Sequence, residues 1–314
     1  MGRESFATTL VRRLNRTTNA HPALGLRLAA LAGFLLGPRL GDPWWPSAAE
    51  LEELVGGMDH RRLERLRRRI AAGELRNRAV ISLLHRRGPE PLSRLITLRG
   101  ADAFRRLRDD GVPVVVVFWH LGVIRAVETA LAALGCPLLT STNRPPRGQD
   151  PGYRRRVVSD PASATLFLME ALKEVKRAGV PVLALDGLGS KRRAVPCFGR
   201  SFPVPAGPGA LAGRGGARIV PATSRWLGLS PRVEVTLHEP LPRPAQGAMA
   251  LEEWEFEMAG SAVTWFERHL RGHPEDLRLV NVRNLLSKHR AHPRAPREED
   301  FARLAAEFEA SEPG

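Results

Sequence analysis

Residues 111–128 read GVPVVVVFWHLGVIRAVE. Within them Val114–Phe118 is apolar at every position and is preceded by Gly111 and Pro113. A strand with one wet face alternates polar and apolar side chains; an unbroken apolar run is buried on both faces, as strands inside parallel sheets are. A second such run, Val180–Leu185 (VPVLAL), ends at Asp186. Between the two, the pattern predicts a helix from about Val123 to Leu134 and a strand over Pro137–Thr140. A polar, proline-rich basic loop from Ser141 to Arg156 follows, then a helix over Ser163–Ala178 closed by Gly179.

Outward from this centre the alternation continues. Leu95–Leu98 reads as a short strand and Ala101–Asp109 as a helix. After Asp186 come a helix at Gly207–Gly213, a strand at Ile219–Ser224, an edge strand at Val233–His238 and a long amphipathic helix at Leu251–Leu270. Alternating strands and helices predict an α/β fold with a largely parallel central sheet flanked by helices. Such sheets bind ligands beyond the carboxyl ends of their strands. His120 and Asp186 each fall just past the end of a buried strand, so one rim can hold both.

The first 94 residues read as helical. Ser47–Glu50 has the form of a capping box, and Asp59 can cap a helix that places Leu63, Leu66 and Ile70 on one face and Arg61, Arg62, Arg65, Arg68 and Arg69 on the other. Leu24–Leu36 (LGLRLAALAGFLL) covers roughly 20 Å as a helix, short of a bilayer's hydrocarbon core. It is either a buried core helix or an interfacial helix with arginines among headgroups and Trp44 and Trp45 at its edge. These readings divide the chain into a helical, membrane-associating region (1–94), an α/β domain (95–290) and a polar tail (291–314) with a short helix at Asp300–Phe308.

Hydrophobic residues make up 43% of the 314-residue chain and charged residues 26%, a globular balance that excludes a disordered chain. The net charge of +15 points to anionic partners. With one tyrosine and no aromatic-interleaved basic sheet, nucleic acid is not the expected partner. Cys136 and Cys197 lie far apart without metal-ligand spacing, so neither a disulfide framework nor a zinc site is expected.

Three blocks carry a resemblance: VVVVFWHLGVIRAVE at 114–128, GVPVLALDGLGSKRRAVPCFGRSFPVPAGPGALAGRGGARIVPATSRW at 179–226, and His273-Pro-Glu275. Together they resemble the bacterial lipid A biosynthesis acyltransferase family, of the lysophospholipid acyltransferase superfamily, over roughly residues 95–285. The most specific part is Asp186 with Phe198-Gly199-Arg200, Gly207-Pro208 and Pro221. The resemblance implies an α/β enzyme docked on the cytoplasmic face of the inner membrane. It implies transfer of a fatty acyl group from an acyl carrier protein or coenzyme A thioester to a hydroxyl of a lipid or glycolipid acceptor. No resident cofactor or metal is implied; the partners are the thioester carrier and anionic membrane lipid.

In that reading His120 is the general base, and backbone N–H groups at the start of the following helix stabilise the oxyanion. Gly122 leaves room for substrate. Lys191, Arg192, Arg193 and Arg200 are candidate phosphate ligands, and Phe198, Gly199 and Gly207 complete the substrate-binding set. The chain departs from the family at two places. The family carries an acid five residues after its histidine, whereas Arg125 stands there, and an arginine has no acceptor for an imidazole N–H. Arg125 is therefore placed with the substrate-binding candidates, and the orienting acid must come from elsewhere. Glu128 would lie about 12 Å from His120 on a regular helix; Asp186, from a separate strand, is the better candidate. Beyond Glu275 the family has tryptophans and a His-Arg pair, where this chain has Leu277, Leu279, Asn281 and Arg283. The competing reading is a non-catalytic homologue that keeps lipid and membrane binding.

Overall fold

A computed structural model describes residues 6–37, 46–142, 153–187, 191–245, 247, 249–279, 281–282 and 285. Trp44, Trp45, the middle of the basic loop and the tail with its short helix lie outside the described residues.

The helical region comes first: α1 (Phe6–Ala20), α2 (Pro22–Leu36), α3 (Ala48–Val55), α4 (His60–Arg87) and the short α5 (Glu90–Ser93). Ser47 and Glu50 form the capping box of α3, and Asp59 accepts from Arg62 N–H at the start of α4. Arg61, Arg62, Arg65, Arg68 and Arg69 are all exposed.

Helix α2, over the Leu24–Leu36 stretch, is buried on one face and exposed on the other. Leu26, Ala29 and Ala30 are buried. A Cβ on Gly33 would stand 2.6 Å from Ala72 Cα, so only glycine permits that approach to α4. The outer face shows Leu24, Leu28, Leu31 and Leu35 to solvent, with Arg27 also exposed. Among the described residues no helix is long and apolar enough to cross a membrane.

The α/β part then runs β1 (Ile96–Arg99), α6 (Ala101–Asp109), β2 (Val114–Phe118), α7 (Ala126–Ala133), β3 (Leu138–Thr142), β4 (Arg154–Val157), α8 (Pro161–Lys176) and β5 (Val180–Ala184). It continues with β6 (Arg192–Cys197), β7 (Arg200–Pro205), α9 (Gly207–Arg214), β8 (Arg218–Trp226), β9 (Val233–Leu237) and α10 (Leu251–Gly272). A 3-10 turn at Pro274–Asp276 follows. Seven strands form one sheet in the order β1-β9-β8-β2-β5-β3-β4. Every neighbouring pair is parallel except β8 and β9.

The unbroken apolar run of β2 is explained by its central place. Val115 and Val117 enter one core with Leu183, Ile219, Phe202 and Phe266; Val114, Val116 and Phe118 enter the opposite core with Val182, Val220 and Val235. Each such side chain taken from water contributes roughly 1.5–3 kcal/mol. Helix α4, about 42 Å long at 28 residues, feeds both cores: Leu63, Leu66 and Ile70 the first, Leu75, Ala79 and Val80 the second.

Four expectations are corrected. The helix after His120 starts at Ala126, not Val123, because residues 122–124 bond to other elements. Arg154–Val157, assigned to a loop, pairs with β3 as the outer strand of the sheet. The basic stretch after Asp186 includes an antiparallel hairpin, β6–β7. Its two-residue turn, Phe198-Gly199, has φ of 51° and 68°, the doubly positive pair that a type I′ turn needs. Finally, β9 is not an edge strand: β1 pairs with its outer side.

Candidate active site

The strands β2 and β5 are neighbours in parallel register, with Phe118 opposite Ala184. Leu185 N–H donates to Phe118 O at 2.8 Å, tying the strand ends together. Each chain leaves the sheet two residues before a polar side chain. As a result His120 Nδ1 lies 2.7 Å from Asp186 Oδ1.

The Asp186 side chain is 5% exposed and that of His120 43%. A carboxylate only accepts, so this contact puts the proton on Nδ1 and leaves the Nε2 lone pair free. Burial works against a charged ring here. The charge of Asp186 and its hydrogen bond outweigh it, with Arg278 opposing and Glu128 assisting, so His120 sits above its ordinary pKa. The ring packs edge-on against Phe118, with centroids 5.2 Å apart.

The second oxygen of Asp186 accepts from Asn281 Nδ2 at 3.3 Å, and Asn281 is fully buried. Asn281 Oδ1 accepts from Arg278 N–H at 3.2 Å. Glu74 on α4 accepts from Leu279 N–H at 3.0 Å and from Arg278 Nε at 3.3 Å. One turn on, Asn77 donates to Gly122 O at 2.8 Å and accepts from Ile124 N–H at 3.2 Å. Two polar residues of a single helix thus hold both the loop after His120 and the segment behind Asp186.

Sequence reasoning did not find Glu74, Asn77, Arg278 or Asn281 as site residues. A signal for the first two was present: Leu63, Leu66, Ile70, Glu74 and Asn77 continue one buried stripe at helical spacing, and its last two members are polar. A buried polar residue needs a partner, and here the partners are the site's own backbone.

The N–H groups of residues 121–124 are already engaged and do not serve as the expected oxyanion donors. Leu121 N–H goes to Trp119 O, Gly122 N–H to Asp276 O, Val123 N–H to Ser224 Oγ and Ile124 N–H to Asn77. Gly122 also makes no room for substrate. It has φ 55°, and a Cβ there would stand 1.6 Å from Ser224 O, so the glycine serves backbone packing.

Arg125, also left-handed at φ 60°, turns away into an ion pair. Its Nη1 lies 3.0 Å from Glu128 Oε1, and Nη2 is 3.5 Å from Thr142 Oγ1. Burial opposes its charge, but Glu128 holds the guanidinium pKa up. Tyr153, buried nearby, is pushed up to about 12 by its burial and by the charge of Glu128.

The remaining candidates are dispersed. Lys191 pairs with Glu252 at 2.9 Å, Arg192 Nη2 donates to Gly187 O at 2.8 Å, and Arg193 lies over the Phe256 ring. Arg200 reaches Glu53 of α3 and Leu285 O. Phe198 and Gly199 form the hairpin turn, and Gly207 opens α9, where a Cβ would stand 3.4 Å from the Leu183 side chain.

Behind the loop stands a second imidazole–carboxyl pair, His269 Nε2 to Asp276 Oδ2 at 3.1 Å. Burial raises the Asp276 pKa against the opposing effect of His269. The exposed groove of about 750 Å³ between β6 and α10 contains Val195, Phe256 and Trp265 but neither member of the His120–Asp186 pair. Among the described residues no group of three or more His, Cys, Asp or Glu is arranged to hold a metal ion.

No family model matches the chain, and no curated protein matches it. Among solved structures, the 1-acyl-sn-glycerophosphate (LPA) acyltransferase PlsC from Thermotoga maritima aligns with 81% of this chain and 98% of its own. That alignment has 13% identity and a TM-score of 0.32.

Proposed function

We propose that the chain transfers a fatty acyl group from an acyl carrier protein or coenzyme A thioester to a hydroxyl of a lipid or glycolipid acceptor. The observation that carries this reading is the 2.7 Å contact between His120 Nδ1 and Asp186 Oδ1 at the carboxyl ends of adjacent parallel strands. Nε2 takes the proton of the acceptor hydroxyl as its oxygen attacks the thioester carbonyl. The C–S bond breaks, the C–O bond remains, and the imidazolium returns the proton to the departing thiolate. Asp186 fixes the tautomer and stabilises the charged ring between the two transfers. Both substrates bring their own reactive groups, so the step needs no resident cofactor.

The same reading places the chain at the cytoplasmic face of the inner membrane. The leucine face of α2 supplies apolar contact, and the exposed arginines of α4 suit anionic headgroups. The acid that orients His120 comes from β5 rather than from position 125, which supports catalysis despite Arg125. The test is purified protein given a long-chain acyl thioester and anionic phospholipid vesicles. Ester formation that disappears in His120→Ala supports the enzyme. Equal product with and without His120 favours a non-catalytic homologue that binds lipid.

A further inference from the structure

Arg278 stands three hydrogen bonds from the reacting ring. Its N–H binds Asn281, Asn281 binds Asp186, and Asp186 binds His120. Its side chain is only 14% exposed, yet among the described residues its guanidinium makes one contact, through Nε to Glu74 at 3.3 Å. The two terminal nitrogens, Nη1 and Nη2, have no partner there. The stem is buried while the fork end opens to solvent unmatched by protein, and a pair of anionic oxygens is the group that fits it.

Among the described residues, other arginines carry ion pairs. Arg125 pairs with Glu128, Arg200 with Glu53 and Arg225 with Glu234. The charge of Arg278 also acts directly on His120, opposing its protonation. A cation there favours a neutral base before substrate binds.

We propose that Arg278 is the anchor for a phosphate group of the substrate, held by Nη1 and Nη2 while His120 meets the acceptor hydroxyl. The inference rests on the acyl-transfer reading. Phosphate enters such a reaction from two sources: the headgroup of a phosphorylated lipid acceptor, or the phosphopantetheine arm of the donor thioester.

The test compares wild type, R278Q and R278K with four substrates. The acceptors are a lysophospholipid bearing a phosphomonoester and the corresponding monoacylglycerol. The donors are an acyl-coenzyme A and an acyl-N-acetylcysteamine, which lacks phosphate. R278Q is expected to raise KM roughly tenfold or more for one phosphate-bearing substrate. KM for that substrate's phosphate-free analogue stays unchanged, and R278K recovers part of the loss. The pair that responds identifies the source.

Stabilisation by inorganic pyrophosphate, read as a thermal shift, measures Arg278 without any turnover. The shift is present in wild type and His120→Ala and absent in R278Q. If R278Q folds poorly, E74Q replaces it; removing the Glu74 charge leaves the guanidinium charge unopposed there and strengthens the pyrophosphate shift. Unchanged KM values across all four substrates, or a pyrophosphate shift that survives in R278Q or fails to grow in E74Q, overturns the proposal. Absence of acyl transfer in wild type overturns the enzyme reading alone, and the pyrophosphate measurement still decides Arg278.

Discussion

Arg125 Nη1 and Glu128 Oε1 lie 3.0 Å apart, with the Glu128 side chain 3% exposed and that of Arg125 27%. This pair explains how a cation can occupy a position five residues after His120 without disabling the ring. The charge is directed at Glu128 and Thr142, and the acid that His120 needs arrives from β5. Restoring an acid at 125 would therefore damage the protein rather than improve it. In R125E two carboxylates share a buried site, so unfolding by denaturant should show a loss of about 3 kcal/mol or more. Acyl transfer should show no gain; a large gain with unchanged stability would contradict the assignment of Asp186.

The central strands were readable because burial on both faces leaves a direct trace in sequence, and β2 and β5 are found within a residue of their expected bounds. The hairpin β6–β7 left no such trace. Pro196, Pro203 and Pro205 lie within its strands, and its turn places Phe198 at positive φ, a position that sequence rules reserve for glycine or asparagine. Residues 123–125 read as the start of a helix, but the contacts of Val123 with Ser224 and of Ile124 with Asn77 outbid local propensity. His120 and Asp186 were legible by their place at strand ends. Glu74, Asn77, Arg278 and Asn281 were not, because their roles arise where α4 meets residues 122–124 and 278–279, and where Asn281 meets Asp186, in space.

Asn77 should be among the most sensitive residues outside the pair. Replacing it with Ala leaves Gly122 O and Ile124 N–H unpaired in a buried setting, at a cost of about 2–4 kcal/mol. Equilibrium unfolding measures the loss. Asn77→Asp, which keeps the acceptor for Ile124 but not the donor for Gly122, should still lose stability and lower the transfer rate. A wild-type midpoint for both variants would show that α4 does not brace the loop.

The leucine face of α2 should drive binding to membranes. Changing Leu28 and Leu31 to Ser removes exposed apolar side chains without touching the buried Leu26, Ala29 and Ala30. Flotation with anionic vesicles should fall at least severalfold, while circular dichroism stays the same. Binding by the wild type should also weaken as salt rises, since Arg61, Arg65 and Arg68 are exposed. Equal flotation of variant and wild type would remove α2 from the membrane account.

His238 gives a pH test of the fold. Burial, with the charge of His269 adding, pushes its pKa down to about 4 from the ordinary 6.5. The folded state therefore favours the neutral ring. Stability is full above pH 6.5, declines as pH falls towards about 4, and the loss reaches at most about 3 kcal/mol. Thermal melting of wild type and His238→Gln across that window should show a shallower slope in the variant. Parallel slopes would mean that His238 does not contribute.

The most direct measurement of the central claim is the pH–rate profile of acyl transfer in wild type and D186N. The raised pKa of His120 makes wild-type activity climb with pH as the ring loses its proton, with an inflection above 6.5. Removing the charge of Asp186 removes what holds that pKa up, so in D186N the inflection should move to lower pH. The plateau should fall by roughly 10²-fold or more, because the tautomer and the imidazolium lose their support. Superimposable profiles in the two proteins would contradict the account, since Asp186 would then neither orient nor charge-stabilise the base.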